Sequence, residues 1–280
     1  MSRSFSKLSK QDKERLVEVF GHGAEFESAV ARAEAGEPVA LITGEQAFFR
    51  ESYLVTPDTL IPRPDTERVV EAVLSALRDI AALRGVAALR NVAAPWGGAH
   101  FLDLCTGSGC IAISAAANTP ARLSSVTAVD ISPGALAVAR KNADRNRNKA
   151  VRPENFDVFC FIAADVTDKE AADEITRGKH FDVIAANPPY IKTADLQSLD
   201  ASVRDFEPLC ALDGGEDGFR FYRAIIENFS PALADGGVMI FEIGYDQREG
   251  IIDLAEKYGF SCKVTRDWGG NDRVAEMRKK

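Results

Sequence analysis

The segment Phe181-Asp182-Val183-Ile184-Ala185-Ala186-Asn187-Pro188-Pro189-Tyr190 joins a short apolar run to two consecutive prolines. An apolar run this short, with β-branched residues, predicts a buried strand, and the prolines end it because they have no N–H to donate to a neighbouring strand. Asn187 and Tyr190 then lie at the carboxyl end of the strand, where ligands bind in open α/β sheets. The segment therefore predicts a sheet protein with a ligand site beside Asn187.

Strand and helix patterns alternate on both sides of this segment, from His100 to the C-terminus. This alternation predicts an α/β fold with a mostly parallel, Rossmann-like sheet and right-handed crossovers. The predicted strands cover residues 101–104, 126–129, 157–163, 181–186 and 237–243, and the predicted helices cover residues 111–117, 135–143, 221–229 and 251–258. Two consecutive strands at residues 260–265 and 273–277 predict a terminal hairpin with one strand antiparallel to the rest.

The region before this sheet has a different pattern of apolar residues. Apolar residues at helical spacing predict a small helical region up to about residue 35, and the short runs at residues 41–55 predict a hairpin or an extended linker. Asp65 is a good N-cap for a linker helix that continues past residue 78 and is followed by a loop. We therefore predict three units: a helical region (1–36), a hairpin with a linker helix (37–98) and the main domain (99–280).

Composition narrows the function classes. The 46% hydrophobic and 27% charged residues are typical of a soluble globular protein, and a net charge of -8 argues against a binder that relies on broad phosphate attraction. The five cysteines are scattered and the three histidines are isolated, so we expect reduced thiols and no metal site. With no signal peptide and no apolar run that could span a bilayer, we expect a cytoplasmic protein without a membrane partner.

A glycine-rich turn, Cys105-Thr106-Gly107-Ser108-Gly109-Cys110, follows the first strand of the main domain. Such a turn lets a ligand approach the backbone amides at a helix N-terminus. Asp130 ends the next strand, where it can accept hydrogen bonds from ribose hydroxyls. This spacing also satisfies the nicotinamide dinucleotide fingerprint, so the turn alone leaves two cofactors open.

Three features favour S-adenosylmethionine over a dinucleotide. Asp103 precedes the turn, where a carboxylate would repel a pyrophosphate but suit a cationic ligand. Asp165 follows the third strand, in position to hydrogen-bond an adenine. The Asn-Pro-Pro-Tyr segment has no role in hydride transfer, whereas it suits methyl transfer to a planar nitrogen. The Asn187 side-chain oxygen and the Pro188 carbonyl can accept the two hydrogens of such a nitrogen, and Tyr190 can stack on the planar group.

Together these motifs resemble the PrmC/HemK family, the class I S-adenosylmethionine-dependent methyltransferases that act on the N5 of a glutamine in peptide-chain release factors. The matching segments are residues 36–44, 60–67 (LIPRPDTE), 103–109, 187–191, 206–208 with 211–212, and 271–274. Asn-Pro-Pro-Tyr is shared with adenine-N6 methyltransferases of nucleic acids, and LIPRPDTE narrows the match to the PrmC/HemK family. The resemblance implies release factors as protein substrates, modified in their Gly-Gly-Gln tripeptide, and no direct nucleic-acid substrate.

The resemblance also implies site residues. The predicted cofactor-binding residues are Asp103, Thr106, Gly107, Ser108, Gly109, Asp130, Asp165, Val166 and Asn187. Within this set the turn would line the methionine and ribose, Asp130 would bind the ribose hydroxyls, and Asp165 and Val166 would flank the adenine. The predicted substrate-binding residues are Arg63, Asn187, Pro188, Pro189 and Tyr190, and the catalytic ones among them are Asn187, Pro188 and Tyr190.

Two features depart from the family pattern. Cys105 replaces the glycine that usually starts the turn, which is tolerable if its backbone angles are ordinary, and the N-terminal helical region is shorter than the family's usual bundle. The main rival is an adenine-N6 methyltransferase acting on DNA or RNA, disfavoured by the acidic charge balance and by the lack of a long insertion. Two further hypotheses are a cofactor-binding module that no longer catalyses and a nicotinamide oxidoreductase.

Overall fold

A seven-stranded sheet forms the centre of the computed structural model, which describes residues 8–89 and 97–280. Its strands are β3 (Ala99–Leu104), β4 (Leu123–Asp130), β5 (Phe159–Ala163), β6 (Phe181–Ala186), β7 (Leu233–Glu242), β8 (Phe260–Arg266) and β9 (Asp272–Lys279). They lie in the order β5-β4-β3-β6-β7-β9-β8. The pairs from β5 to β7 are parallel, and β9 is antiparallel to both of its neighbours. The predicted mostly parallel sheet with one antiparallel strand is confirmed.

The strands β3 and β6 form the centre of the sheet and explain where the site lies. All six residues of β6 are buried, as expected for a strand covered on both faces, and five of them are apolar without alternation. The exception, Asp182, is paired with Arg84 at 2.6 Å. The chain order reverses between β3 and β6, and Leu104 and Ala186 are register partners at their carboxyl ends. The glycine turn and Asn187 therefore begin side by side at the switch point of the sheet.

Helices cover both faces of this sheet. On one face α4 (Glu67–Leu89) and α5 (Cys110–Asn118) pack over the strands, with α6 (Pro133–Asn146) beside α5. On the other face lie α7 (Lys169–Thr176), α9 (Arg220–Phe229) and α10 (Arg248–Lys257). The predicted boundaries of α5, α6, α9 and α10 agree within a few residues, whereas α7 was not predicted. Within the described parts of the chain, no helix is long and apolar enough to cross a membrane.

The N-terminal region forms a small core of its own. The helices α1 (Lys10–Phe20), α2 (Ala24–Glu34) and α3 (Val39–Thr43) bury one cluster, Leu16, Ala29, Ala33 and Ile42, and the hairpin β1 (Glu45–Phe48) and β2 (Glu51–Leu54) follows. The expectation that residues 41–43 start the hairpin is wrong. Pro38 begins a helical turn there, and Gly44, in the left-handed conformation with φ 72°, ends it. The division at residues 36 and 98 stays a prediction.

The start of the linker helix also differs from the prediction. A 3-10 turn at Pro64–Thr66 precedes α4, and the Asp65 carboxylate faces Arg273 at 3.4 Å instead of capping the helix. Because Pro64 fixes a tight turn one residue before Asp65, the aspartate lies inside that turn rather than at the position from which a side chain caps α4. Part of the predicted loop after α4, residues 90–96, lies outside the described residues.

The long connection after β6 folds back over the site, and residues 208–211 and 213 of it line the cavity. It contains the short helix α8 (Ala201–Arg204), and Ile191 forms an isolated bridge with Asp213. A Cβ at Gly214 would lie 2.7 Å from the backbone of Tyr190, so only glycine permits this approach. The connection is thereby held against the Asn-Pro-Pro-Tyr segment.

Candidate active site

The glycine turn is joined to β4 by one backbone hydrogen bond and is closed by a second bond within the turn. Thr106 N donates to Val129 O at 3.0 Å, and Gly109 N donates to Thr106 O at 2.8 Å. Gly109 has φ 81° and precedes α5, and a Cβ there would lie 2.8 Å from the Ile113 Cδ1 atom. The turn therefore requires glycine at this position for its backbone angle and for its close contact with α5.

Cys105 departs from its expected conformation. The sequence argument required ordinary backbone angles for a cysteine in place of the usual glycine, but its φ is 57°, in the left-handed region. A residue with a Cβ is disfavoured there by about 1–2 kcal/mol. The half-buried side chain packs at the edge of the core formed with α9 and α10, and this burial offsets part of the strain.

Asp103 lies beneath the turn, where its side chain is fully buried. Its Oδ2 accepts hydrogen bonds from the Thr106 hydroxyl at 2.5 Å and from Ala112 N at 3.3 Å. Its Oδ1 is buried and has no hydrogen-bond partner within residues 8–89 and 97–280. Burial raises the pKa of Asp103 to about 7, against the opposing hydrogen bonds. The carboxylate therefore supports the turn from below and keeps one acceptor unused.

Asp130 and Asp165 present carboxylates at the ends of the two neighbouring strands. The Asp130 Oδ2 accepts from Gly107 N at 2.8 Å and its Oδ1 accepts from Ser132 N at 2.9 Å, while burial raises its pKa. The Asp165 Oδ1 accepts from the amide and hydroxyl of Thr167 at 2.8 and 2.7 Å. Backbone amides thus fix both side chains, and each keeps lone pairs for a ligand.

Asn187 faces the same cavity as the turn. Its side chain lines the cavity and its Nδ2 donates to the Thr66 Oγ1 at 3.4 Å, so Oδ1 is the atom of the amide that can accept from a ligand. Pro188 and Pro189 are buried, and Tyr190 is half-buried with its hydroxyl donating to the Glu242 Oε1 at 3.2 Å. Burial beside Glu242 raises the pKa of Tyr190 far above its usual value, so the phenol stays protonated.

A cavity of about 390 Å³ joins these groups at the carboxyl edge of the sheet. The predicted site residues that line it are Arg63, Thr106, Gly107, Ser108, Asp130, Asp165, Val166, Asn187 and Pro189. Four predicted site residues do not line it: Asp103, Gly109, Pro188 and Tyr190. Of these, Asp103 and Gly109 support the turn, whereas Pro188 and Tyr190 flank the lining residues Asn187 and Pro189.

Several lining residues were not predicted. Ile131 and Leu209 are large and exposed at 55% and 60%, and Thr66 and Phe221 complete the wall. The position of Ile131 directly after Asp130 was a usable signal, because it follows the strand end. Leu209 and Phe221 carried none, since only the fold of the long connection brings them to the site.

Arg63 lines the cavity and is paired with a buried acid from the long connection. Its guanidinium binds the Glu207 Oε1, whose side chain is only 1% exposed, and the Glu207 Oε2 accepts from Ile61 N at 3.1 Å. Burial raises the pKa of Glu207, while Arg63 opposes that effect. The pair joins the LIPRPDTE segment to residues 206–208 across the site.

The charges around the cavity limit its ligands. Asp130 and Asp165 lie on its wall and Asp103 lies just behind the turn, so the cofactor end carries carboxylates. A pyrophosphate would be repelled there, whereas a ribose diol, an amino group or a sulfonium would be attracted. This distribution disfavours a dinucleotide as the ligand.

Comparison with known proteins gives the family. A family model described as "Conserved hypothetical protein 95" matches residues 42–208. The release factor glutamine methyltransferase of Geobacter sulfurreducens is 38% identical over 250 residues, covering 89% of this chain and 76% of that relative. The enzyme of that name from Moorella thermoacetica is 39% identical over 252 residues, covering 89% and 77%. The chain belongs to the release factor glutamine methyltransferases.

A solved structure supports the fold of this family member. The hMettl16 catalytic domain in complex with the MAT2A 3'UTR hairpin 6 matches with a TM-score of 0.55 at 13% identity, covering 91% of this chain and 80% of that one. The fold is the Rossmann-like fold of class I methyltransferases, as the sequence predicts. Class I membership implies a methyl donor of the S-adenosylmethionine type.

Proposed function

We propose that this release factor glutamine methyltransferase transfers the methyl group of S-adenosylmethionine to the side-chain amide nitrogen (N5) of the glutamine in the Gly-Gly-Gln tripeptide of a release factor. The observation that carries the proposal is the placement of Asn187. Its Oδ1 acceptor shares one cavity with the glycine turn and with Asp130. A planar amide held there would lie beside a donor bound at the turn.

The cavity fits the implied donor by its chemistry. Asp130 would accept hydrogen bonds from the ribose hydroxyls, Asp165 and Val166 would flank the adenine, and the turn from Thr106 to Ser108 would lie beside the methionine part. The amides of Thr106 and Gly107 already donate to Val129 O and to Asp130 Oδ2, so they fix the turn rather than bind the ligand. The buried, unused Oδ1 of Asp103 lies beneath that turn, and a bound cation would favour the ionised carboxylate that burial disfavours. When bound, S-adenosylmethionine supplies an electrophilic methyl group on a sulfonium.

The chain's residues supply orientation. An amide nitrogen is a weak nucleophile because its lone pair is delocalised into the carbonyl. The Asn187 Oδ1 and the Pro188 carbonyl would accept its two hydrogens, and the two prolines hold that backbone rigid. Alignment of the reacting atoms contributes about 7–11 kcal/mol in well-oriented systems, and the same acceptors stabilise the positive charge that develops on nitrogen. The alkylated nitrogen then loses its proton to water or to Asn187, so no separate base is required.

Tyr190 has a different position from the one proposed for stacking. Its ring packs partly against the core under the sheet edge and its hydroxyl is tied to Glu242. We therefore propose that Tyr190 acts from beside the cavity, by fixing the segment that carries Asn187 and Pro188. Arg63, at the other wall, would contact the substrate backbone. All five cysteines are free thiols, in keeping with a cytoplasmic reaction.

The test is a methyl-transfer assay with matched substrates. A purified release factor, the same factor with its Gly-Gly-Gln glutamine replaced by alanine, and a nucleic-acid mixture are each incubated with the enzyme and methyl-labelled S-adenosylmethionine. Mass spectrometry should place one methyl on that glutamine, and the alanine form should gain none. Label on adenine alone would contradict the proposal and favour an adenine-N6 methyltransferase.

The same assay tests Asn187. We expect Asn187→Ala to abolish turnover while cofactor binding, measured by calorimetry, largely survives, because the turn, Asp130 and Asp165 are untouched. Turnover at the unaltered rate in Asn187→Ala would refute the role given to this residue.

A further inference from the structure

The Asn187 amide can take two orientations, related by a half-turn of the group. They have nearly the same shape, but one places the oxygen and the other places the nitrogen toward the cavity. With Oδ1 toward the cavity, the side chain accepts a hydrogen from a substrate amide. With the group rotated by a half-turn, its NH₂ would face the substrate NH₂, and two donors cannot bond. The proposed reaction therefore needs a device that fixes this rotation, and Asn187 itself cannot supply it.

Thr66 is the group that contacts the other end of the amide. Its side chain lies on the cavity wall but is 2% exposed, and its Oγ1 is 3.4 Å from the Asn187 Nδ2. A hydroxyl has one hydrogen to donate. If that hydrogen is directed to a third group, Thr66 can only accept from Asn187, so that Nδ2 must face Thr66 and Oδ1 must face the cavity.

Glu242 is the third group. It is the last residue of β7 and is 2% exposed, and its Oε1 accepts from the Tyr190 hydroxyl at 3.2 Å. Its Oε2 is buried without a bond to any residue within 8–89 or 97–280, so it remains an acceptor. Ala186 and Phe241 are register partners in the parallel pair β6–β7, so the residues that follow them, Asn187 and Glu242, lie side by side at the sheet edge that Thr66 contacts. Burial raises the pKa of Glu242, and the Thr66 hydroxyl and the Arg273 cation oppose this effect.

A buried carboxylate of this kind is costly unless its neighbours donate to it. Two hydroxyls near Asn187 are available to Glu242. One belongs to Tyr190, three residues after Asn187 in the chain, and the other to Thr66, in the 3-10 turn that precedes α4. Directing both hydroxyl hydrogens at the carboxylate lowers that cost. The same arrangement leaves the Thr66 oxygen lone pairs facing Asn187.

We propose that Thr66, oriented by Glu242, is a positioning residue that fixes the Asn187 amide with Oδ1 toward the substrate. This inference rests on the proposed function, since it assigns the means by which Asn187 receives the glutamine amide. Thr66 and Glu242 do not touch the reacting atoms. They act through Asn187, and one carboxylate thereby sets the geometry of both ends of the Asn-Pro-Pro-Tyr segment.

The experiment compares variants that differ in one hydrogen-bonding atom. Thr66→Val keeps the shape and removes the hydroxyl, and Thr66→Ser restores it. Losing one hydrogen bond of about 1.4 kcal/mol in the transition state is a factor of about ten. We expect Thr66→Val to lower kcat/KM for the release factor about tenfold, with the KM for the methyl donor unchanged, and Thr66→Ser to recover activity to within about twofold.

Three controls separate positioning from folding. Thr59→Val removes a buried hydroxyl of the same segment that bonds to Thr56 O at 3.1 Å, and it should change the unfolding temperature without the tenfold loss. Thr66→Ala replaces Thr66→Val if the latter does not fold, with the same loss expected. In a Tyr190→Phe background, which removes the other hydroxyl that donates to Glu242, Glu242→Gln should lower kcat/KM, and adding Thr66→Val should produce no further loss, because Glu242 then acts only through Thr66.

The outcomes distinguish this inference from the proposed function. Unchanged kcat/KM in folded Thr66→Val, with Asn187→Ala inactive, would overturn the role of Thr66 and leave the proposed function standing. Losses that multiply when Thr66→Val and Glu242→Gln are combined in the Tyr190→Phe background would overturn the action of Glu242 through Thr66. If the unmodified enzyme does not methylate the release factor, the proposed function fails first, and this inference fails with it.

Discussion

The Arg63–Glu207 pair gives a prediction that separates stability from substrate binding. The Glu207 side chain is 1% exposed, and its two oxygens are held by the Arg63 guanidinium and by Ile61 N. Arg63→Ala leaves the buried carboxylate with the Ile61 amide alone. Breaking a fully buried pair on one side costs about 3–5 kcal/mol, but Arg63 is 39% exposed and water can enter the space it leaves, so we expect about 2 kcal/mol.

The companion variants make the prediction specific. Glu207→Gln keeps an acceptor for the Ile61 N–H and removes the buried charge, so it should cost about 1 kcal/mol or less. In the double variant no buried charge is left without a partner. Its loss should therefore be about 1 kcal/mol, not the sum of the two single losses. Urea unfolding of the four proteins at pH 8 measures these differences.

The pH dependence has a definite sign. Burial already raises the pKa of Glu207, and without Arg63 the folded-state pKa rises further above the unfolded value. A raised carboxyl pKa means that stability is greatest at low pH and is lost as the pH rises. The deficit of Arg63→Ala should therefore shrink between pH 8 and pH 5, because Glu207 takes up a proton in the folded protein.

Methyl-transfer kinetics of the same four proteins then test the role of Arg63 at the substrate. If Arg63 contacts the release factor, the double variant should recover stability but keep a raised KM for that substrate. Losses in unfolding free energy that simply add, with an Arg63→Ala deficit that is equal at both pH values, would refute the reasoning from a buried, partnered carboxylate.

Two further predictions concern the glycine turn. Because burial raises the pKa of Asp103 to about 7, the ligand-free protein should lose about 2–3 kcal/mol of unfolding free energy between pH 5 and pH 8 relative to Asp103→Asn. Parallel pH profiles of the two proteins in urea unfolding would contradict this. Gly109→Ala should cost about 2–4 kcal/mol, since its Cβ would meet the Ile113 side chain at 2.8 Å in a left-handed backbone, whereas Cys105→Ala, where a Cβ is already present, should cost less than about 1 kcal/mol. Thermal unfolding of both variants measures the contrast.

The sequence predicted the parts of this protein that local patterns determine. Alternating apolar runs identified the strands, and the ends of those strands identified Asp130, Asp165 and Asn187, because parallel strands place their carboxyl ends at one edge. The conformation of Cys105 was not accessible in this way. Its φ of 57° follows from how the turn joins β3 to α5, and a cysteine there gives no local sign of a left-handed backbone.

The sequence also could not predict which distant segments contact each other. Thr66 and Asn187 are 121 residues apart, and Arg63 and Glu207 are 144 apart. Both Thr66 and Arg63 belong to LIPRPDTE. The resemblance assigned substrate binding to Arg63, but it gave no role to Thr66 and did not show which distant residues the motif contacts. The fold supplies the connection, since the 3-10 turn at Pro64–Thr66 lies against the end of β6 and under the long connection.

The antiparallel direction of β9 explains how the C-terminal hairpin reaches the turn that contains Thr66. In its register with β7, Val274 pairs with Glu242, so the preceding Arg273 lies at the end of the strand that carries the buried carboxylate. Arg273 donates to Ile243 O at 3.1 Å and pairs with Asp267 at 3.2 Å and with Asp65 at 3.4 Å. Its cation thereby joins the C-terminal hairpin to the turn that presents Thr66. The positive charge of Arg273 stabilises an ionised Glu242. A parallel strand at the position of β9 would run in the opposite direction, so it would not bring a residue from the hairpin tip to Glu242. The last strand of the chain thus completes the wall behind Asn187, which explains why the motif at residues 271–274 accompanies LIPRPDTE and Asn-Pro-Pro-Tyr.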